Sequence, residues 1–271
     1  MKRSFTRWIA GIACGASLLA GPILASEGST AAPATEAAEA AATDAATATD
    51  AEAADTAENE PLPVYSPPQP VRGSYPRHLA GLGTRSSGPP PSPVRLFALA
   101  PNHLGVSVRS QPTLYWYLEG DSALPVEFSM IDGATGSTAL EISFPAPVAA
   151  GYYGIRLADH GFHLRTGTIY EWTVALVNGG REVHPTISVG FIDRREPDAD
   201  LNRELATAGP KGAVHAYANR GLWYEAFDDI AKRIAANPSD RLLWLQRAAL
   251  LEQVDLAPIA DRAREIADEA R

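Results

Sequence analysis

The sequence predicts a β-sandwich of immunoglobulin or fibronectin-like type, without a disulfide, followed by a short α-helical, tetratricopeptide-like segment. Three observations carry that reading. From Val94 onward, short apolar runs of period two alternate with regular turn signals, giving eight candidate strands. Leu164-Arg165-Thr166-Gly167-Thr168-Ile169-Tyr170, followed by Trp172, Val174 and Leu176, has the spacing of a tyrosine corner. From Pro197 the apolar period changes to that of a helix.

The chain begins with Lys2, Arg3 and Arg7, then an uncharged apolar run from Trp8 to Ala20, then Gly21-Pro22-Ile23-Leu24-Ala25. This is the order of a secretory signal, with cleavage expected after Ala25. The apolar run falls short of the ~20 residues needed to span a bilayer, which argues against an uncleaved anchor. A lipoprotein acylated at Cys14 is disfavoured too, because Cys14 lies inside the apolar run and Gly11-Ile12-Ala13 before it lacks the usual leucine. Removing residues 1–25 takes three positive charges and no negative ones, so the processed chain carries 23 − 3 = 20 cations against 32 anions, a net charge of −12. It also has no cysteine, so no disulfide within the chain and no thiolate zinc site is expected. The acidity argues against a general nucleic-acid binder, which would show a basic patch.

Two linkers of different kind follow. In residues 26–60 alanine fills 15 of 35 positions beside nine acids, with no Leu, Ile, Val or aromatic residue, so too little apolar surface exists to order the segment. Residues 61–93 hold ten of the 22 prolines, and their only charges are Arg72, Arg77 and Arg85. This stretch is expected to be a stiff, extended spacer; Pro67-Pro68-Gln69-Pro70 could also serve a proline-reading domain.

The β-domain is expected over 94–196, with strands at 94–99, 105–109, 113–118, 126–131, 138–144, 152–157, 169–177 and 186–192. Turn signals lie between them at Asp132-Gly133, Thr166-Gly167 and Asn178-Gly179-Gly180. The stretch 113–118 is aromatic on both faces, with Trp116 as the candidate core tryptophan. Tyr170 and Trp172 are expected to be structural.

The helical segment is expected over 197–271. Asp198 is the N-cap candidate of a first helix stopped by Gly209-Pro210; a second covers about 211–219, and Gly221 makes a turn. In the third helix, Trp223, Ala226, Phe227, Ile230 and Ile234 form one stripe, ending at Asn237-Pro238. Ser239 or Asp240 caps the fourth, and Asp255 and Pro258 open the fifth. Tyr217, Gly221, Ala226 and Pro238 sit at tetratricopeptide spacings, whose period is 34. A shift of 34 takes Ala226 to Ala260 and Leu222 to Leu256, but Gly221 to Asp255 and Tyr224 to Pro258, so the second unit matches less well. With fewer than about three units, the segment is expected to lean on the β-domain.

Five stretches together resemble a known family: FALAPNHLGVSV at 97–108, QPTLYWYL at 111–118, IYEWTVALV at 169–177, SVGFIDRREP at 188–197 and YANRGLWYEAFDDIAKRIAANPSD at 217–240. From residue 94 to about 256 the chain is similar to the bacterial exported family labelled domain of unknown function nine hundred twenty-eight. The resemblance implies an exported protein with a β-domain and a short helical tail, and it supplies no catalytic or ligand residue.

Chemistry-bearing groups have structural readings as well. Asp159, His160 and His163 form a D-H-x-x-H cluster, but in a turn and without a third imidazole, so an exposed loop is favoured over a metal site. His103 and His184 are isolated. Gly120-Asp121-Ser122 lacks the strand-to-helix elbow of a hydrolase nucleophile and reads as a hairpin turn. Asp228-Asp229 reads as a solvated helix face. Tyr224, offset by about 100° from Trp223, is offered with Arg220 as partner-facing, while Trp223, Gly221, Ala226 and Pro238 are structural.

The function expected is that of an exported, non-enzymatic binding or scaffold protein of the cell envelope. Its partner would be an envelope protein, with no nucleic acid, no cofactor and no membrane span after signal cleavage. The alternatives are an envelope hydrolase using Asp159 and His163, or a carbohydrate-binding module using Tyr115, Tyr117, Tyr152 and Tyr153.

Overall fold

A computed structural model of the chain describes residues 61–68, 94–177 and 186–270. The expected signal and its cleavage site, Cys14, the 26–60 linker, residues 69–93, the 178–180 turn and His184 lie outside the described residues.

Among the described residues eight strands form: β1 Leu96–Ala98, β2 Gly105–Ser107, β3 Thr113–Leu118, β4 Val126–Asp132, β5 Thr138–Phe144, β6 Gly151–Arg156, β7 Ile169–Leu176 and β8 Thr186–Arg194. They make a three-stranded sheet in the order β1-β3-β6 and a five-stranded sheet in the order β2-β8-β7-β4-β5. β2 runs parallel to β8, and the other pairs are antiparallel. The period-two pattern survives intact in β7, where Tyr170, Trp172, Val174 and Leu176 are buried and the residues between them are half-buried. The sheets meet at β1, where the Ala98 N–H donates to Ser188 Oγ across the gap (2.7 Å).

β3 is buried on both faces because it has covers on both sides. Trp116 is fully buried, stacks on Tyr153 (4.2 Å between centroids) and meets Phe144 of the other sheet edge-on. Tyr115, on the opposite face, meets Phe227 of the helical segment. The tyrosine corner is present: the Arg165 N–H donates to Tyr170 Oη (3.3 Å), and Leu164 is buried. One expectation is corrected. Gly120-Asp121-Ser122 is no hairpin turn, because β3 and β4 belong to different sheets.

Among the described residues four helical elements follow: α1 Ala199–Asn219, α2 Trp223–Ala236, α3 Arg241–Glu252 and α4 Ala257–Glu269. The caps fall where the sequence places them. Asp198 accepts from the Leu201 N–H (2.6 Å), and Asp240 from the N–H groups of Leu242 (3.0 Å) and Leu243 (3.4 Å). Gly209 (φ 65, ψ −176) is non-helical, so Ala199–Asn219 consists of the two helices that the sequence predicts, divided at Gly209-Pro210.

The backbone repeats itself after 34 residues. The Gly221 N–H donates to Ala218 O and that of Leu222 to Tyr217 O; 34 positions later Asp255 donates to Glu252 O and Leu256 to Leu251 O. Gly221 (φ 70) and Asp255 (φ 63) share the left-handed conformation, so the position where the second unit departs from the pattern makes the same turn. Ala226 and Ala260, also 34 apart, are both fully buried.

One hydrophobic core runs from both sheets into all four helices, joining Trp116, Phe128 and Trp172 to Trp223, Phe227, Leu250 and Ala260. Tyr65 belongs to it at 6% exposure. The 61–68 segment is therefore docked on the body, which corrects the reading of residues 61–93 as spacer throughout.

Candidate functional site

The densest gathering of charged and polar groups lies on the seam between α2 and the sheets. Position along α2 decides it: Trp223, Tyr224 and Glu225 point in directions about 100° apart, and all three are buried. The helix enters between the sheets, α1 and the 61–68 segment, so its first turn has no solvent side.

Trp223 is fully buried and its indole N–H donates to Leu99 O (3.0 Å). Tyr224 overturns the expectation of an exposed, partner-facing ring: it is 2% exposed. Its hydroxyl donates to Phe191 O (2.8 Å) and accepts from Trp172 Nε1 (3.0 Å). The ring fits because residue 105 is glycine: a Cβ there would stand 2.7 Å from Tyr224 Cε2. A 100° offset leads to water only on a helix with one covered face, and α2 has two.

Glu225 is 1% exposed. Its Oε1 accepts from Ser107 Oγ (2.6 Å) and from the N–H groups of Val108 (2.9 Å) and Arg109 (3.2 Å). These amides lie just past the end of β2, the edge strand of its sheet among the described residues, and the carboxylate supplies their acceptor. Glu225 Oε2 is buried without a hydrogen-bond partner among the described residues. Burial pushes this carboxyl above its ordinary pKa, against the Ser107 and backbone hydrogen bonds.

Asp228, one turn on, is 1% exposed, so the solvated-face reading of Asp228-Asp229 is corrected for this residue. Its carboxylate takes Arg109, the Tyr115 hydroxyl (2.9 Å) and Lys232 Nζ (2.6 Å). Asp229 is less covered and lies 4.0 Å from Arg233. A second group sits behind the seam on α3. Arg247 is 4% exposed, with its guanidinium over the rings of Tyr152 (4.5 Å), Trp244 (4.8 Å) and Phe227 (5.6 Å). The aromatic faces stabilise the cation, while burial lowers its pKa.

Arg220 is likewise not free for a partner. It closes α1 on itself by pairing with Asp198 (3.0 Å) at the start of the helix and with Glu204 (2.5 Å). Pro238 supplies the carbonyl for the Trp244 indole N–H (2.7 Å). The four tyrosines offered for carbohydrate are engaged in packing. Tyr117 tilts on Tyr152 (4.7 Å), Tyr152 meets Trp244, and the Tyr153 hydroxyl donates to Ala149 O (2.6 Å). Asp159 pairs with Arg156 (2.7 Å) on a short 3-10 turn, Leu157–His160. Ser122 Oγ is bonded to both Leu124 N and Leu124 O. Among the described residues no three or more His, Cys, Asp or Glu gather as a metal site, and no helix is long and apolar enough to cross a membrane.

Glu225, Asp228, Arg109 and Arg247 were not legible as a site. Charged residues of these types usually face solvent, and the one signal for Glu225, Asp228 and Arg247 was their place on helices rich in apolar residues; Arg109, just past β2, had none.

A family match covers residues 80–264, well over half of the chain, and its description is Domain of Unknown Function (DUF928). The chain belongs to this family. No curated protein matches it. Among solved structures, the crystal structure of a multi-domain immunophilin from Arabidopsis thaliana is similar at 9% identity and a TM-score of 0.21, covering 58% of this chain and 94% of that one.

Proposed function

We propose that this family member is an exported, non-enzymatic binding or scaffold protein of the cell envelope. The observation that carries the reading is the use made of its reactive side chains. Glu225 holds the end of β2, Asp228 holds Arg109, Tyr115 and Lys232, and Arg247 stands in an aromatic cage. Acids bonded to two or three internal donors and shut off from solvent serve cohesion; a general base must face substrate. The charged start and Ala25 support export, and the 26–60 segment would hold the body away from its point of attachment.

The finer fold reading belongs to the same proposal. The strand order β1-β3-β6 against β2-β8-β7-β4-β5, with a tyrosine corner at the start of β7, supports an immunoglobulin or fibronectin-like sandwich. The 34-residue recurrence of backbone hydrogen bonds supports a tetratricopeptide-like pair of units.

Cell fractionation with N-terminal sequencing tests export: the mature protein should begin at Ser26 or Glu27, and an intact Met1 in the envelope fraction would refute it. Ester, amide and glycoside substrates test the rest. No turnover is expected, and turnover abolished by Asp159→Ala or His163→Ala would restore the hydrolase alternative.

A further inference from the structure

The 61–68 segment, Pro-Leu-Pro-Val-Tyr-Ser-Pro-Pro, has neither helix nor strand of its own, yet it is held like a ligand. Its side chains alternate: Pro63 and Tyr65 are buried, while Leu62 (47%) and Val64 (62%) face water. That is how an extended chain lies on a surface. Its backbone is read from both sides by one side-chain amide. Gln253 Nε2 donates to Pro63 O (2.9 Å), and Gln253 Oε1 accepts from the Tyr65 N–H (2.8 Å). The Ser66 N–H donates to Ala218 O at the end of α1 (3.0 Å).

Tyr65 is the anchor. Its ring meets Trp223 edge-on (5.3 Å, 80°) and lies parallel to His103 (5.7 Å, 22°). Its hydroxyl is 2.9 Å from His103 Nε2. The direction of that bond follows from its neighbours. Asn102 Nδ2 donates to Asp255, which leaves Asn102 Oδ1, an acceptor only, facing His103 Nδ1 (3.2 Å). In the neutral imidazole this places the proton on Nδ1 and leaves Nε2 to accept from the phenol. Gly221 admits the chain: a Cβ there would stand 2.6 Å from Ser66 O.

Main-chain hydrogen bonds with alternate side chains in pockets are how folded domains bind extended peptides. A proline-rich peptide loses little entropy on binding, since it is extended before it docks. Residues 69–93 join Pro68 to Val94, so the segment is covalently part of the chain on which it docks, and this raises its local concentration there. A covalently attached ligand of modest affinity stays bound and still exchanges.

We propose that the cleft formed by His103, Ala218, Gly221, Trp223 and Gln253 is a peptide-binding site for an extended, proline-flanked Pro-x-Tyr segment. Residues 61–68 fill it in cis, and a Pro-x-Tyr segment of another chain takes it by displacing them. This goes beyond the scaffold reading, because cis docking stands whatever the compartment or the envelope partner.

The test uses the full-length chain and a fluorescein-labelled synthetic peptide with the sequence of residues 60–69. Tyr65→Ala, which empties the anchor pocket, should bind the peptide at least about tenfold more tightly than the wild type, whose own segment competes. Adding Gln253→Ala should weaken that binding about tenfold, and a peptide with alanine for tyrosine should not bind. A folded Tyr65→Ala protein that ignores the peptide, or equal binding by both proteins, overturns the proposal. If Tyr65→Ala does not fold, amide exchange in the wild type decides. Tyr65 and Ser66 amides exchanging at least about tenfold faster than that of Ile230 support a detachable ligand; equal rates reject it.

Discussion

Two turns of the helical segment, 34 residues apart, share their backbone hydrogen bonds, and the helices that follow them differ in what they bury. In α2, Trp223, Tyr224, Glu225, Ala226, Phe227, Asp228, Ile230, Ala231 and Ile234 are all buried. In α4, Ile259, Ala260, Ala263 and Ala267 are, and the residues between them are polar apart from the half-buried Ile266. The turns before the two helices nevertheless make the same hydrogen bonds. The difference lies in neighbours. α2 packs on α1, α3 and the strands β2 and β3, whereas α4 packs chiefly on α3. A repeat thus fixes where helices turn, and the layer beyond the helix fixes which side chains it requires. An inner helix between two layers must also satisfy buried polar groups, which is why Glu225 and Asp228 are bonded and the acids of α4, such as Asp261 and Glu265, pair with arginines at the surface.

The largest expected effect breaks the inner unit. Trp223→Ala removes a fully buried indole that touches Tyr65 and Phe227 and bonds Leu99, and should cost about 3–5 kcal/mol. Ile259→Ala, on the outer helix, should cost less, about 2–3 kcal/mol, because its surroundings can relax. Urea midpoints at a common m-value measure both. Equal losses would mean that α4 is as tightly enclosed as α2.

Asp228→Ala should come next, at about 2–3 kcal/mol, since it strands the Tyr115 hydroxyl and leaves Arg109 without its carboxylate. The figure sits below that for a wholly buried pair because Arg109 is 39% exposed and keeps some water. A double-mutant cycle with Tyr115→Phe isolates that bond. Additive losses would show that the hydroxyl and the carboxylate do not cooperate.

Much of this comparison was legible in the sequence, and the omissions have one cause. Eight strands, the caps Asp198 and Asp240, the tyrosine corner and the Trp223 stripe follow from local periodicity and local chemistry, which a single segment carries. Tyr224 and Asp228 read as exposed or solvated, and Glu225 gives no signal, because a helical wheel shows one apolar stripe and not the second neighbour. Tyr65 was missed because proline-rich composition describes a chain's stiffness, and nothing local reveals a pocket built by residues 38 to 190 positions away. Asp255 was read as a flaw in the repeat, though asparagine and aspartate are among the residues that tolerate a left-handed turn.

Glu225 sharpens the contrast through pH. Burial raises its folded pKa above the unfolded one. Such a group adds stability that is complete below the unfolded value and lost as pH rises through the folded one. Glu225→Gln keeps the Oε1 acceptor and removes the charge. Its stability relative to wild type should therefore improve as pH rises through and above the ordinary carboxylate range. A difference flat across that range would mean that the three donors to Oε1 fully offset burial.

The smallest effect concerns the matched turns. Asp255→Gly relieves a left-handed aspartate, worth about 1 kcal/mol, but loses the bond from Asn102 and makes the unfolded chain more flexible, each costing a similar amount. The net change should stay within about 1 kcal/mol of zero. The same exchange in reverse is not equivalent. At Gly221 a Cβ would meet Ser66 O at 2.6 Å, so Gly221→Asp must shift the docked 61–68 segment as well as strain the turn. Thermal unfolding of both variants measures the asymmetry. Equal shifts would mean that the segment contributes nothing at Gly221; a larger loss for Gly221→Asp locates the difference between the units in what lies against the inner turn, since the backbone of the two turns is the same.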